Sequence, residues 1–188
     1  MENIDSFGGE SEKGISQSIN SGNTIAILID MQETFVDGLR PGEKERIIPN
    51  QIAVLKYCNK LSIPVIVLEL NIDLFGKTIG VLISQAKKNP NFRLIEKWYS
   101  DGFMATGLDR IIRQFGNIEN LLILGVNADY CVKFTARSGI KKGYRIVTSN
   151  ELISGQRLHS PDNSIDWFRN NGMCFDSMAD FSGILQRS

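Results

Sequence analysis

From Thr24 onward the chain alternates short apolar runs with longer amphipathic stretches, and this alternation constrains its fold more than any other feature. The runs are TIAILID (24–30), PVIVLEL (64–70), FRLIEK (92–97), NLLILGV (120–126) and YRIVTSN (144–150). Nearly continuous apolar runs this short suit strands buried on both faces, as in a parallel sheet. Between them, RIIPNQIAVLKYCNKL (46–61) sets Ile48, Ile52, Leu55 and Cys58 on one helical face. KTIGVLISQAKK (77–88) and TGLDRIIRQFG (106–116) repeat that pattern, and Gly116 and Gly143 supply helix stops. Strand alternating with helix at this spacing predicts right-handed βαβ units. The expected fold is α/β: a doubly wound, Rossmann-like open sheet, mostly parallel, of about six strands with helices on both faces. A last helix around Asn163–Asn171 and the short apolar segment Met173–Phe175 are read as adding an edge strand.

The chain has 188 residues with 42% hydrophobic content, enough to bury one sizeable core and short enough for one domain. Residues 1–22 are rich in Ser, Gly, Asn, Glu and Lys, and are expected to be a flexible tail before a single domain at 23–188. Lys and Arg number 21 against 21 Asp and Glu, a balance that argues against general nucleic-acid binding. Three cysteines with no paired spacing suggest a reducing compartment. No run approaches the roughly 18 to 20 apolar residues of a membrane span, and the start is acidic where a signal peptide would be basic. The expected location is therefore cytoplasmic, with no membrane partner.

In an open parallel α/β sheet, ligands sit beyond the carboxyl ends of the strands, so the residues closing each run carry the most weight. Asp30 closes the first run, Lys97 closes the third, and Cys131 follows the fourth at the start of the helical stretch ADYCVKFTARSGIKKG. A cysteine in the first turn of a helix has its thiolate stabilised by the macrodipole, and a nearby ammonium lowers its pKa further. A carboxylate at Asp30 can take the thiol proton and return it to a leaving group. Backbone N–H groups of the turn before Cys131 point to where an oxyanion would form. Taken singly, each residue has a plainer role. Most buried cysteines are small core residues, which is the reading for Cys58 and Cys174. An Asp at a strand end commonly caps a turn. Their coincidence at strand ends is what points to a site.

TIAILIDMQETFVDG resembles the opening motif of the isochorismatase-like cysteine hydrolases, with Asp30, Met31, Gln32 and Phe35 in the motif positions. EKWYSDGFMATGLDRII is similar to that family's second motif, and LLILGVNADYCVKFTARSGIKKGYRIVTSNELI to its third, all in the family's order. The resemblance implies a triad of Asp30, Lys97 and Cys131, in which the thiolate attacks an amide-type carbonyl and water hydrolyses the thioester. It also implies that Lys97 lowers the thiol's pKa. A non-proline cis peptide at Val126–Asn127 would aim the N–H groups of Asn127 and Cys131 at the oxyanion. It further implies a homo-oligomer, a dimer or tetramer.

Nicotinamidases of the family use an Asp and two His as metal ligands, whereas this chain has one histidine, His159, after the nucleophile. Neither a metal nor another cofactor is expected. Relatives that cleave isochorismate, a vinyl ether, can lack the cysteine, so its presence favours acyl chemistry on a small amide, carbamoyl or related C–N bond. Asp101-Gly102 stands where the family often has Ser-Ala, and Asn127-Ala128 where it often has a small residue and Thr. These departures leave the substrate open. The stretch LELNIDLFGKTIG lies where the family's substrate loop falls and offers Glu69, Asn71, Phe75 and Lys77. Phe35, Trp98, Phe103 and Tyr130 are further candidates to line the pocket, with core packing as the alternative for the aromatics.

Gly76–Thr78 reads GKT after an apolar run, yet the first glycine of a phosphate-binding loop would fall at position 71, which is Asn71. Nucleotide binding is therefore not expected. Two alternatives remain: a catalytically silent module that binds a small ligand or a protein, and a vinyl-ether hydrolase.

Overall fold

The computed structural model describes residues 19–155 and 161–180. Its sheet has seven strands: β1 (Thr24–Ile29), β2 (Val65–Leu70), β3 (Phe92–Lys97), β4 (Asn120–Val126), β5 (Arg145–Ser149), β6 (Ile153–Ser154) and β7 (Met173–Phe175). The order across the sheet is β3-β2-β1-β4-β5-β7, with β6 beside the carboxyl end of β4, and every pairing is parallel. Helices α1 (Glu33–Asp37), α2 (Glu43–Leu61), α3 (Ile72–Phe75), α4 (Gly80–Ala86), α5 (Leu108–Arg113), α6 (Lys133–Lys141) and α7 (Pro161–Asn171) connect the strands.

Successive side chains of a strand point to opposite faces, and β1 divides accordingly. Ala26 and Leu28 pack with Val54, Leu55 and Cys58 of α2 and Leu82 of α4. Ile25, Ile27 and Ile29 pack with Leu108 and Ile112 of α5, Ala136 of α6 and Phe168 of α7. Two apolar layers therefore sandwich one sheet, the doubly wound arrangement that the apolar runs predict. From β1 the chain runs outward through β2 to β3 and then returns to lay β4 on the other side of β1. That reversal opens a crevice at the carboxyl ends of β1 and β4.

Gly125 fits this junction because its φ is 151° and a Cβ there would stand 2.3 Å from the Ile29 carbonyl oxygen. Close approach of β4 to the end of β1 requires the missing side chain.

Several expectations change in detail. β3 is an edge strand and is not buried on both faces; Leu94 is 48% exposed, and only Lys97 is fully covered. The buried face of α2 runs through Ile47, Gln51, Val54, Leu55 and Cys58, while Ile48 and Ile52 sit at its margin. β6, two residues long, is too short to leave a periodic trace in the sequence. Ile19 is packed into the core on the α2 side, inside the segment expected to be tail. Residues 1–18, the rest of that segment, lie outside the described residues. No helix among the described residues is long and apolar enough to cross a membrane.

Candidate active site

Three strand ends bring the site together. β1 stops at Ile29, and Asp30 follows with φ 53°, a left-handed backbone that is sparsely populated outside glycine. Its N–H donates to the Leu68 carbonyl at 3.0 Å, which ties the strained residue to β2. β3 delivers Lys97 at its last position, and the Asn71 N–H holds the Lys97 carbonyl at 3.0 Å. β4 ends at Val126, after which Ala128–Val132 form one π-helical turn that carries Cys131. Such single wide turns recur at functional sites. The Asn127 carbonyl accepts from the N–H groups of Tyr130 at 2.9 Å and Val132 at 3.3 Å, which closes the turn.

Lys97 Nζ donates to Asp30 Oδ2 at 3.0 Å and to the Tyr99 carbonyl at 3.3 Å, and both charged side chains are fully buried. Asp30 Oδ1 is buried without a formed hydrogen bond. The Cys131 thiol acts on the same carboxylate as a weak donor. The three groups thus share one buried space at the crevice. Burial pushes the Asp30 carboxyl above its ordinary range, opposed by the Lys97 charge. The nearby Glu69 adds a smaller upward push.

Cys131 departs from the expected direction. Its thiol is pushed up to about 12, first by burial and then by the Asp30 charge, with Lys97 pulling the other way. The macrodipole argument does not apply as expected, because Cys131 lies in the π-helical turn and not in the first turn of α6. In the resting site the proton stays on sulfur, and Lys97 is committed to Asp30. Ser100 is a further member of the site that sequence reasoning does not reveal. Its side chain hydrogen-bonds the Cys131 sulfur and favours the thiolate. The signal available was its position, three residues beyond the strand-ending Lys97.

The resemblance also implies a cis peptide at Val126–Asn127. The described residues contain none; the chain turns instead through Asn127 at φ 63°, a left-handed conformation that asparagine tolerates better than most residues. Asn127 and Cys131, whose N–H groups are the expected oxyanion donors, do belong to one turn.

The remaining candidates divide. Glu69 is buried beside the site and accepts the Thr78 N–H at 2.7 Å. Asn71 caps α3 by accepting the Leu74 N–H at 3.2 Å, so its side chain is occupied in structure. Phe35 is buried and stacks on Phe75 with ring centroids 4.6 Å apart. Phe103 packs against Tyr144 and under Lys142, which makes it part of the α6 packing and not a wall of the crevice. Trp98 is 62% exposed, and Tyr130 is exposed with its edge on Phe134. Asp101 and Gly102 are fitted to α6. The Gly102 N–H donates to Thr135 Oγ1 at 2.8 Å, and a Cβ on Gly102 would meet Leu68 Cδ1 at 2.5 Å.

A zinc-type donor set is not found among the described residues. Among the described residues no group of three or more His, Cys, Asp or Glu is placed to hold a metal, and the Lys97 ammonium already occupies the Asp30 carboxylate. His159 lies outside the described residues.

Comparison with known proteins bears on the fold and the family. An 82-residue segment is 33% identical to the uncharacterized isochorismatase family protein PncA of Bacillus subtilis, covering 44% of each chain. A 119-residue segment is 20% identical to isochorismatase family protein 1A of Dictyostelium discoideum, covering 63% of this chain and 58% of that one. The matched regions thus span about half the length of these curated relatives. Among solved structures, the octameric hydrolase YcaC of Escherichia coli, of unknown specificity, superposes with a TM-score of 0.80 at 17% identity, over 92% of this chain and 83% of that one. The MAR1 ribonuclease of Caenorhabditis elegans gives 0.77 at 20% identity, over 89% and 83%. The nicotinamidase SaPncA of Staphylococcus aureus gives 0.71 at 21% identity, over 82% and 98%. At these identities the structures establish a shared fold and nothing finer. The isochorismatase domain model matches residues 24–173, from the first strand through the start of the last, and the chain belongs to that family of hydrolases.

Proposed function

We propose that this chain is a cysteine amidohydrolase of small molecules, in which Asp30, Lys97 and Cys131 convert an amide or carbamoyl compound and water into an acid and ammonia or an amine. The observation that carries this reading is the enclosure of one carboxylate, one ammonium and one thiol in a single buried cluster at the reversal of the sheet. Nothing in a core needs that combination, because burying an ion pair costs desolvation that a well-packed apolar pair would avoid.

The chemistry proceeds in two halves. Substrate entering the crevice places its carbonyl carbon against Cys131 Sγ. The thiol proton passes to Asp30, the sulfur bonds to carbon, and the carbonyl pair of electrons moves onto oxygen, stabilised by the N–H groups of Asn127 and Cys131. As the C–N bond breaks, Asp30 gives that proton to the departing nitrogen. A water then attacks the thioester and yields its proton to Asp30, which returns it to sulfur. Lys97 holds Asp30 in place, and its charge favours the thiolate when the pair loosens. The Ser100 hydroxyl supports the same thiolate.

Ammonia release from a panel of small amides tests the reading. Cys131→Ala should lower turnover by about a thousandfold or more with the fold intact. Lys97→Ala and Asp30→Asn should do nearly as much. Substantial activity in any of the three would remove the mechanism. The silent-module reading has one observation in its favour, the high resting pKa of Cys131. It would be upheld by an inert panel together with a thiol whose alkylation is indifferent to Asp30→Asn. Self-association is proposed as well, after the octameric fold relative, and light scattering in solution checks it.

A further inference from the structure

The turn that carries Cys131 rests on a segment too short to hold itself. β6 is two residues long, with Ile153 beside Gly125 and Ser154 beside Val126, the last two residues of β4. The Gly125 N–H donates to the Leu152 carbonyl at 3.1 Å. Ile153 packs in one cluster with Ala128, Cys131 and Val132, and a Cβ on Gly155 would stand 3.3 Å from Asp129 Oδ2. Two residues offer too little pattern to set their own register. Helix α2 supplies the rest. Arg46 donates from Nη1 to the Asn150 carbonyl and from Nη2 to the Ile153 carbonyl at 3.2 Å. Gln51 Nε2 donates to the Leu152 carbonyl at 2.9 Å, and the Ser154 hydroxyl donates to Glu43. Four of the five residues 150–154 are thus bound by side chains of one helix. Glu43 also meets the Arg46 guanidinium through both oxygens, at 2.6 and 3.2 Å. Burial pushes its carboxyl up, but the Arg46 and Ser154 hydrogen bonds prevail and hold it below its ordinary range.

We infer that Arg46, helped by Glu43 and Gln51, is a positioning residue for the reaction at Cys131: it clamps residues 150–154 against β4, which fixes the Asn127–Cys131 turn and aims the two backbone N–H groups that receive the oxyanion. The inference rests on the reading of Cys131 as nucleophile and names what holds the oxyanion donors in place. The planar fork of a guanidinium matches two carbonyls and a carboxylate at once, which neither an apolar side chain nor a lysine does. The clamp also has a fixed footing. Val54, Leu55 and Cys58 of α2 pack with Ala26 and Leu28 of β1, the strand that ends at Asp30. One rigid helix therefore refers the base and the nucleophile turn to the same frame. Such reference matters because a displacement of about 1 Å, caused far from the chemistry, can cost a hundredfold in rate.

Two reagents that differ in whether an oxyanion forms provide the test. Iodoacetamide alkylates Cys131 at a saturated carbon and needs no oxyanion donor. p-Nitrophenyl acetate acylates it through a tetrahedral oxyanion: the sulfur bonds to the acyl carbon, the thiol proton passes to Asp30, and p-nitrophenolate leaves. Peptide mass spectrometry reads both rates at Cys131. The ratio of acylation to alkylation should fall by about ten- to a hundredfold in Arg46→Met, and by less in Arg46→Lys, whose ammonium lacks the fork. Gln51→Met, which keeps the volume and removes one bond to the segment, should lower the ratio in the same direction. It decides the matter by the same ratio if Arg46→Met does not fold. Val54→Ala loosens the same helix on the sheet without touching residues 150–154, and should lower the urea midpoint while leaving the ratio as it is. On any amide that the wild type turns over, Arg46→Met should lower kcat with KM nearly constant. An unchanged ratio, acylation and alkylation falling together, or an equal fall in Val54→Ala would overturn the inference and leave the nucleophile standing. A wild-type Cys131 labelled by neither reagent would remove the nucleophile, and this inference with it.

Discussion

A thiol held near pKa 12 is an idle nucleophile, and at Cys131 the cause is as informative as the value. Burial comes first and the Asp30 carboxylate second, so the residue that must take the proton also keeps the sulfur protonated at rest. Asp30→Asn should therefore split two properties that usually fall together. Turnover is lost because no base remains, yet alkylation of Cys131 by iodoacetamide at pH 8 should rise by roughly tenfold for each unit the pKa drops. Lys97 would then have the thiolate as its counter-ion. Lys97→Met should act in the opposite direction and slow alkylation, since it removes a positive charge that favours the thiolate. Alkylation rates across pH 7 to 10 in the three proteins check both signs.

At the scale of elements, β1, β2 and β4 were legible as short, nearly unbroken apolar runs, β3 more weakly and the two-residue β6 not at all, and the positions of Asp30, Lys97 and Cys131 followed from the runs. The pocket was less legible. Phe103 and Asn71 sit in motif or loop positions that suggest ligand contact, but one packs on Tyr144 and the other caps α3, and only side-chain direction distinguishes those roles. The same limit hid why Gly102 replaces a small side chain: its N–H is anchored by Thr135, and Leu68 fills the space a Cβ would take. Gly102→Ala must push Leu68 aside and should cost about 1–3 kcal/mol. Gly125→Ala meets backbone at Ile29 and should cost more, about 2–4 kcal/mol. Urea midpoints at constant slope check the order of the two. The first change also displaces the loop carrying Ser100, so it should lower activity beyond its effect on stability.

At the scale of the molecule, burial is recorded in all three cysteines. Cys58 is pushed up to about 12 and Cys174 to about 11 by burial, alongside Cys131. Below pH 9, the ordinary thiol value, both folded and unfolded chains hold these protons, and the thiols add no pH dependence. Above it the unfolded chain releases them and the folded chain does not, so stability falls as pH rises from about 9 toward 11. Melting temperature should decline over that window, and Cys58→Ala should flatten the decline while lowering stability at pH 8 through the cavity it leaves. The sheet order has a further consequence, in the time domain. β1 lies between β2 and β4, but its partner Asn120 is made 96 residues after Thr24. At ribosomal speeds of about 5–20 residues per second, one flank of β1 waits roughly 5–20 s for the strand that covers it. During that interval the nascent chain presents an open, largely apolar edge, and a product truncated before residue 120 would keep it open permanently, a fragment for chaperones and proteases to recognise.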